Sequence, residues 1–344
     1  MIEIDGSHGE GGGQILRTAL ALSCLYRKPF RIGNIRRNRK KPGLGPQHLT
    51  SVRAAQAISA ARVAGDRTGS DELTFSPGEV RGGDYSFDVG TAGSTLLVLQ
   101  TLLPPLFFAD RPSTVTLAGG THVPFSPSYH YVSGIFVPTL AMLGLEVRLS
   151  IESYGFYPRG GGKLRAEVRP AGTTLPMRAA ERGTVRELNG CSAVGRLPRT
   201  IAERQRKAAT DRIRSAAGEA EIGVHIDLLE APTPGRGTFL FLRAAPETAF
   251  AGFTSLGAIG KRAEAVGEEA AQDFLDYHST GAALDPHLPD QIVFYLSLCE
   301  EVSIFTTSRV TQHLLTNFWV MSLFRAFMYS VDGEIGRPGK VTIH

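Results

Sequence analysis

Apolar residues recur along the chain with two spacings, every third or fourth position in some stretches and every second in others, with Gly and Pro breaks between them. In 14–25 a stripe that includes Ile15, Leu16, Ala19 and Leu20 predicts a helix, and 30–35 reads as a short strand. A second helix over 47–64 and strands at 72–75 and 85–89 complete this first copy of the pattern. The same order returns as a helix over 94–103, a strand over 113–118, a helix over 129–143 and strands at 145–152 and 162–168. A third copy closes the chain, with a helix over 289–299, a strand over 301–306, a helix over 309–328 and a last strand over 340–343.

Between the second and third copies the order changes. Strands are expected near 185–197, 222–229 and 238–242, with helices over 202–217 and 261–277. Joins containing Pro and Gly at 176–183 and 279–281 bound this stretch. The expected architecture is therefore α/β (α+β), with a core of three repeated β/α units over 1–182 and 279–344 and a smaller inserted α/β domain over 183–278.

A chain of 344 residues with 42% apolar content is long enough to bury more than one core, which agrees with two folded parts. It has no low-complexity tract, so a disordered chain is excluded. The three cysteines, Cys24, Cys191 and Cys299, lie far apart and form no CxxC pair, which argues against a disulfide framework or a zinc site and for a reducing cytoplasm. The start, Met1 to Asp5, reads as an acidic strand rather than an export leader. The most apolar window, 96–109, is broken by Gln100, Pro104 and Pro105 and falls short of the roughly 20 residues of a membrane span. No membrane partner is expected. The net charge of +4 is modest, yet Arg31, Arg36, Arg37, Arg39, Lys40 and Lys41 fall together with no acid among them. Such a cluster suits a polyanion, with a solvated basic loop as the plain alternative.

Three segments could carry chemistry. His8 to Thr18 is a glycine-rich turn that follows a strand and opens a helix, where backbone N–H groups and the helix dipole favour an anion. It matches neither the Walker nor the dinucleotide pattern. Glu10 inside this turn would repel a phosphate unless a divalent cation lay between them, so it reads as a metal ligand. Gln14 and Arg17, three apart, share a helical face that points toward the same ligand. The second segment, Asn34 to His48, is a basic loop with Pro and Gly that suits a terminal phosphate. It lacks the interleaved aromatic residues that stack single-stranded bases. In the third, Ser308 to Asn317, a cap at Ser308 or Thr311 places His313 near a helix N-terminus, where the dipole opposes protonation and leaves a nucleophilic imidazole. Asn317, one turn on, is positioned to fix the ring or to touch a ligand. Two further loops, Gly119 to Pro124 and Gly155 to Gly162, sit at strand ends. HExxH and GxSxG patterns are absent, so hydrolase readings lack support.

Together these segments resemble the RNA 3′-terminal phosphate cyclase family, from Ile4 to the end of the chain. The resemblance rests on Gly9-Glu10-Gly11-Gly12-Gly13-Gln14-Ile15-Leu16-Arg17, Lys41-Pro42-Gly43-Leu44 with Gln47-His48, Val80-Arg81-Gly82-Gly83-Asp84-Tyr85, Leu99-Gln100-Thr101, Gly155-Phe156-Tyr157-Pro158 and His313-Leu314-Leu315-Thr316-Asn317. It implies a core of three repeats like that of the enolpyruvyl transferases. It also implies that His313 takes AMP from ATP as a covalent adduct, that AMP passes to an RNA 3′-phosphate, and that the neighbouring 2′-hydroxyl then closes a 2′,3′-cyclic phosphate. By the same resemblance Glu10 holds Mg²⁺ or Mn²⁺ on the ATP phosphates. Gln14 and Arg17 contact the nucleotide phosphates, and Arg36, Arg39, Gln47 and His48 contact the RNA 3′ end. Gln100, Asp290 and Gln291 belong to the nucleotide pocket. Relatives carry tyrosine where this chain has His287, so stacking on adenine would use an imidazole or come from elsewhere. Two alternatives remain: a non-catalytic RNA-binding relative that serves in ribosomal RNA maturation but lacks the histidine, and an enolpyruvyl transferase. The physiological RNA and a homodimer both stay open at this level.

Overall fold

The structure, a computed structural model, describes residues 1–217 and 222–344. Its first unit runs β1 (Ile2–Asp5), α1 (Gly13–Tyr26), β2 (Phe30–Gly33), α2 (Pro46–Ser59), β3 (Arg62–Ala64) and β4 (Leu73–Ser76). The second runs β5 (Asp84–Asp88), α3 (Thr95–Leu106), β6 (Ser113–Gly119), a helix made of α4 (Tyr129–Tyr131), a π-helical turn (Val132–Phe136) and α5 (Val137–Met142), then β7 (Val147–Ser153) and β8 (Gly162–Val168). The third opens with the short β9 (Arg178–Ala179). The chain then leaves through β10 (Glu187–Gly195), α6 (Arg199–Ala217), β11 (Gly223–Glu230), β12 (Gly237–Ala244), β13 (Ala251–Leu256) and α7 (Ala263–Thr280). It returns with α8 (Leu288–Leu296), β14 (Ser303–Thr307), α9 (Gln312–Phe324), β15 (Tyr329–Asp332) and β16 (Gly339–Ile343).

The fold is α+β, and its three core sheets share one plan. Their orders are β1-β2-β4-β3, β5-β6-β8-β7 and β9-β14-β16-β15, each with the first pair parallel and the others antiparallel. Each unit thus starts one strand earlier than the apolar periodicity suggests. The strand expected to close the first copy, β5, instead opens the second, because it pairs in parallel with β6 from Asp84↔Thr114 to Asp88↔Ala118. Alternation reveals a strand but not its sheet. The helix expected over 47–64 stops at Ser59, since Ala60 turns left-handed at φ 50° and Arg62–Ala64 pairs with β4. No Gly or Pro marks that stop, so the pattern hides it. The two-residue β9 is too short to show any period, yet it pairs with β14 at Ile304↔Arg178. We propose on this basis that 183–278 is an insertion within the third unit, supported by its own sheet, β11-β10-β12-β13, and its own core of Leu188, Ile213, Leu240, Phe253 and Phe274. There α6 crosses α7 so closely that a methyl on Gly267 would lie 2.2 Å from the Gln205 carbonyl oxygen.

Helix α1 lies at the middle of the core, packed on α2, α3 and α9. Its stripe widens into nearly all-round burial of Ile15, Leu16, Ala19, Leu20, Ala21, Leu22, Ser23 and Cys24, and its small residues let three helices approach. Its N-terminus is thereby held against the N-terminus of α9, which creates the site.

A second buried cluster joins the core to the insertion. His122 Nε2 lies 3.1 Å from His130 Nδ1, and His122 stacks on Phe239 of β12 at 4.2 Å between centroids. Burial keeps both imidazoles neutral, pushing His130 down to about 4 and His122 well below its usual value. In the unfolded chain each would titrate near 6.5. The folded state's advantage is therefore complete above that pH and is lost as pH falls toward 4. For His130 the full effect is on the order of 3 kcal/mol, from about 1.4 kcal/mol per pH unit. Urea unfolding from pH 7 to pH 4.5 should show stability falling with pH, and His130→Gln should flatten that slope by about one proton. Equal slopes would mean that the pair is protonated in the fold.

Candidate active site

The N-termini of four helices, two from the first unit and two from the third, meet in one cleft of about 1580 Å³. Gly13 and Gln14 bring α1 to it, Gln47 and His48 bring α2, Asp290 and Gln291 bring α8, and His313 brings α9. None of α1, α2 and α9 has an acidic residue in its first turn, and Gly12 and Gly45 cap two of them without a side-chain acceptor. The positive ends of these dipoles are left unneutralised by their own helices, as an anion site requires. The residues assigned to ligands by the resemblance all line this cleft: Glu10, Gln14, Arg17, Arg36, Arg39, Gln47, His48, Gln100, His287, Asp290, Gln291 and His313.

His313 is held from one side. Its Nδ1 bonds Gln14 Oε1, while Gln14 Nε2 donates to the His313 carbonyl at 3.1 Å. The second bond fixes which end of the amide faces the ring, so Oε1 accepts and Nδ1 must carry the proton. Nε2 is left with its lone pair toward the cleft, 3.2 Å from Glu10 Oε2. Burial lowers the basicity of the ring, Glu10 opposes that, and the cations Arg17 and Arg39 with His287 lower it further. On balance the surroundings favour the neutral imidazole. Thr311 caps α9, its hydroxyl accepting from Leu314 N at 3.0 Å, which fixes the position of His313 in the first turn. His8 stacks on Trp319 at 3.8 Å and fastens the glycine-rich turn to the same helix.

Asn317 neither holds the ring nor faces it as a partner. Its side chain accepts from Thr18 Oγ1 at 2.8 Å and donates to the Asp290 carbonyl at 2.5 Å, tying α1, α8 and α9 together. Gln14, on the other helix, does what the i, i+4 spacing suggested for Asn317.

Glu10 Oε2 also accepts from Arg39 Nη2 at 3.2 Å, so the basic loop and the glycine turn share one carboxylate. His48 is packed against Gly13, where a methyl would come within 2.1 Å of His48 Nε2, so only glycine fits. Burial, then Arg17 and Arg36, push His48 down to about 3, and its Nδ1 has no partner. Arg36 spends one guanidinium N–H on Gly43 O at 2.7 Å, and Gln47 Oε1 accepts from Ser94 N at 2.8 Å. Both residues shape the loop as well as facing the cleft.

On the far side Gln100 Nε2 donates to Gln291 Oε1 at 2.6 Å, and Gln291 Nε2 donates to His287 O at 2.9 Å. His287 is exposed. The Asp290 side chain touches the cleft but its Oδ1 is sealed and unpartnered. Burial and the nearby Asp285 push its carboxyl up to about 8 despite Arg17. Arg17 in turn is lowered to about 10 by burial, against the pull of Asp290. Asp285, which sequence reasoning missed, accepts from Tyr131 Oη, His287 N, Leu288 N and Gly252 N within 3.1 Å and anchors the start of α8 to the insertion. Nothing in its local sequence signals that role.

A sequence model described as RNA 3′-terminal phosphate cyclase matches residues 8–331. The chain belongs to the RNA 3′-terminal phosphate cyclase family. It is 46% identical to an RNA 3′-terminal phosphate cyclase of Methylococcus capsulatus, with 100% of this chain and 96% of that protein covered. It is 43% identical to one of Archaeoglobus fulgidus over 97% of this chain and 98% of the other, and 42% identical to one of Nostoc punctiforme over 94% of each. In this member of the cyclase family the glycine-rich turn, the basic loop and the histidine of α9 line one cleft, although Gln14 and His313 are 299 positions apart.

Proposed function

We propose that this protein is an ATP-dependent RNA 3′-terminal phosphate cyclase working through an AMP adduct on His313. Family membership supports the reaction, and the observation that carries the residue assignment is the Gln14-anchored imidazole whose Nε2 faces Glu10 at the cleft. His313 Nε2 attacks the α-phosphorus of ATP, a nitrogen–phosphorus bond forms, and the bond to the bridging oxygen breaks to release pyrophosphate. Gln14 keeps its bond to Nδ1–H throughout and so steadies the charge that the ring gains. An oxygen of the RNA 3′-phosphate then attacks the same phosphorus and displaces His313, giving an RNA capped by AMP through a diphosphate. The adjacent 2′-hydroxyl attacks the RNA phosphorus, loses its proton and expels AMP, a step that relies on proximity within one ribose.

Arg17 and the helix N-termini face the nucleotide phosphates, Gln100, His287, Asp290 and Gln291 the adenosine, and Arg36, Arg39, Gln47 and His48 the RNA phosphate. Glu10 fits a site for Mg²⁺ or Mn²⁺: it is a single carboxylate directed at a lone pair, and among the described residues no group of three or more His, Cys, Asp or Glu could hold a metal alone. A hard cation held by one carboxylate, phosphate oxygens and water matches that donor set. Bound there, the cation would neutralise phosphate charge during transfer. Among the described residues no helix is long and apolar enough to cross a membrane, and we propose a cytoplasmic location on the free cysteines.

The test is a 3′-phosphorylated oligoribonucleotide with ATP and Mg²⁺. The expected product has lost the mass of one water and resists phosphatase, ATP yields AMP and pyrophosphate, and a 3′-hydroxyl RNA does not react. RNA that binds but returns unchanged would instead support a non-catalytic binding role.

A further inference from the structure

Two exposed aromatic residues on the cleft wall have no part in the chemistry above. Phe125 is 104% exposed and Tyr157 68%, and both line the cleft. Phe125 also has φ 61°, a left-handed conformation that a bulky side chain rarely adopts and that persists only where its surroundings fix it. Pro124 and Pro127 flank it, and Ser126 Oγ donates to Val123 O at 3.0 Å to close the loop. The loops bearing the two rings leave the core side by side, since His122 and Phe156 form a bridge and His122 N donates to Gly155 O at 3.1 Å.

Their place in the cleft limits what they can meet. Gly160 of the Tyr157 loop packs on Thr91 and Ala92, and the next residue, Gly93, packs on Gln47 at the start of α2. The Tyr157 loop therefore stands on the side of the cleft that carries the start of α2 and the basic loop, where Lys40 and Lys41 are exposed, and the Phe125 loop leaves the core beside it. The amide pair Gln100–Gln291 and His287 lie on α3 and at the start of α8. That basic loop contains no aromatic residue of its own. Single-strand binding surfaces combine a cationic track with rings on which bases stack, and here the rings arrive from distant parts of the sequence.

We infer that Phe125 and Tyr157 form a stacking platform for a base at or next to the 3′ end of the RNA, placed where the terminal phosphate reaches Arg36 and Arg39. This rests on the cyclase reading, which it extends by naming how the strand, rather than its phosphate, is held. Such stacking tolerates any base, because each has a π face.

The probe is a fluorescein-labelled 3′-phosphorylated single-stranded oligoribonucleotide, titrated by anisotropy with the full chain. Phe125→Ala should weaken binding about tenfold and Phe125→Trp should keep it. An oligonucleotide abasic at its last or next-to-last position should bind the wild type about tenfold less well but Phe125→Ala hardly less than before. AMP uptake from ATP without RNA should be unchanged in Phe125→Ala. Wild-type RNA affinity in Phe125→Ala and Tyr157→Ala would overturn the platform. So would a parallel loss of AMP uptake at limiting ATP, since the ring would then serve the nucleotide. A wild type that takes up no AMP, yet binds RNA through Phe125, would sink the cyclase reading and leave the platform standing.

Discussion

Replacement of His313 by alanine is expected to abolish both AMP uptake and RNA cyclisation, a loss of at least about ten-thousand-fold, because no other group can stand in for a covalent nucleophile. The fold should survive the change. The His313 side chain is 43% exposed, and α9 is anchored by Thr311, Asn317 and the buried Leu314, Phe318 and Met321 rather than by the ring. Thermal unfolding should therefore shift little while activity disappears. RNA affinity should also persist, since Arg36, Arg39, Gln47 and His48 reach the cleft from α2 and the loop before it. A His313→Ala protein that still cyclised RNA would place the nucleophile elsewhere.

Glu10→Ala is expected to produce the next largest loss, about a hundredfold to a thousandfold in AMP uptake at ordinary Mg²⁺ levels. The geometry explains why. The Glu10 carboxylate bonds Arg39 and faces the lone pair of His313 Nε2, a contact that is favourable only with a proton or a cation between them. Glu10 would hold the cation and in doing so turn its carboxylate from Nε2, whereas alanine has no ligand to offer. Glu10→Asp, with the same charge on a shorter stem, should be partly rescued by raising the metal concentration, and Mn²⁺ titration by electron paramagnetic resonance should show weaker binding to both variants in the presence of ATP. Stability should change little, because the Arg39–Glu10 pair is well exposed and such pairs contribute at most about 1 kcal/mol. Normal AMP uptake by Glu10→Ala would reduce Glu10 to a turn residue.

The parts of the molecule that were readable in advance are those whose cause is local. The stripe of α1 and the alternation of β6 and β8 follow from burial of one face and could be placed within a few residues. The frame of the repeats could not, because β9 is two residues long and β5 finds its sheet only by pairing across α3. In the site, the glycine turn, the basic loop and a histidine after a Thr cap each carried a chemical reason in their own neighbourhood. What was hidden is convergence. Gln14 and His313 are 299 positions apart, so nothing local could show that Gln14, not Asn317, holds the ring. Asp285 looks like any loop carboxylate until Gly252 and Tyr131 fold onto it. Phe125 and Tyr157 read as ordinary apolar residues beside prolines, and only their exposure on the cleft wall sets them apart.

In the proposed reaction one neutral imidazole on α9 accepts AMP. Incubation with ATP and Mg²⁺, followed by proteolysis and mass spectrometry at alkaline pH to preserve an acid-labile phosphoramidate, tests it most directly. One added AMP per chain is expected, confined to the peptide bearing His313 and absent from His313→Ala. An adduct on another residue, or a protein that cyclises RNA without ever carrying AMP, would contradict it.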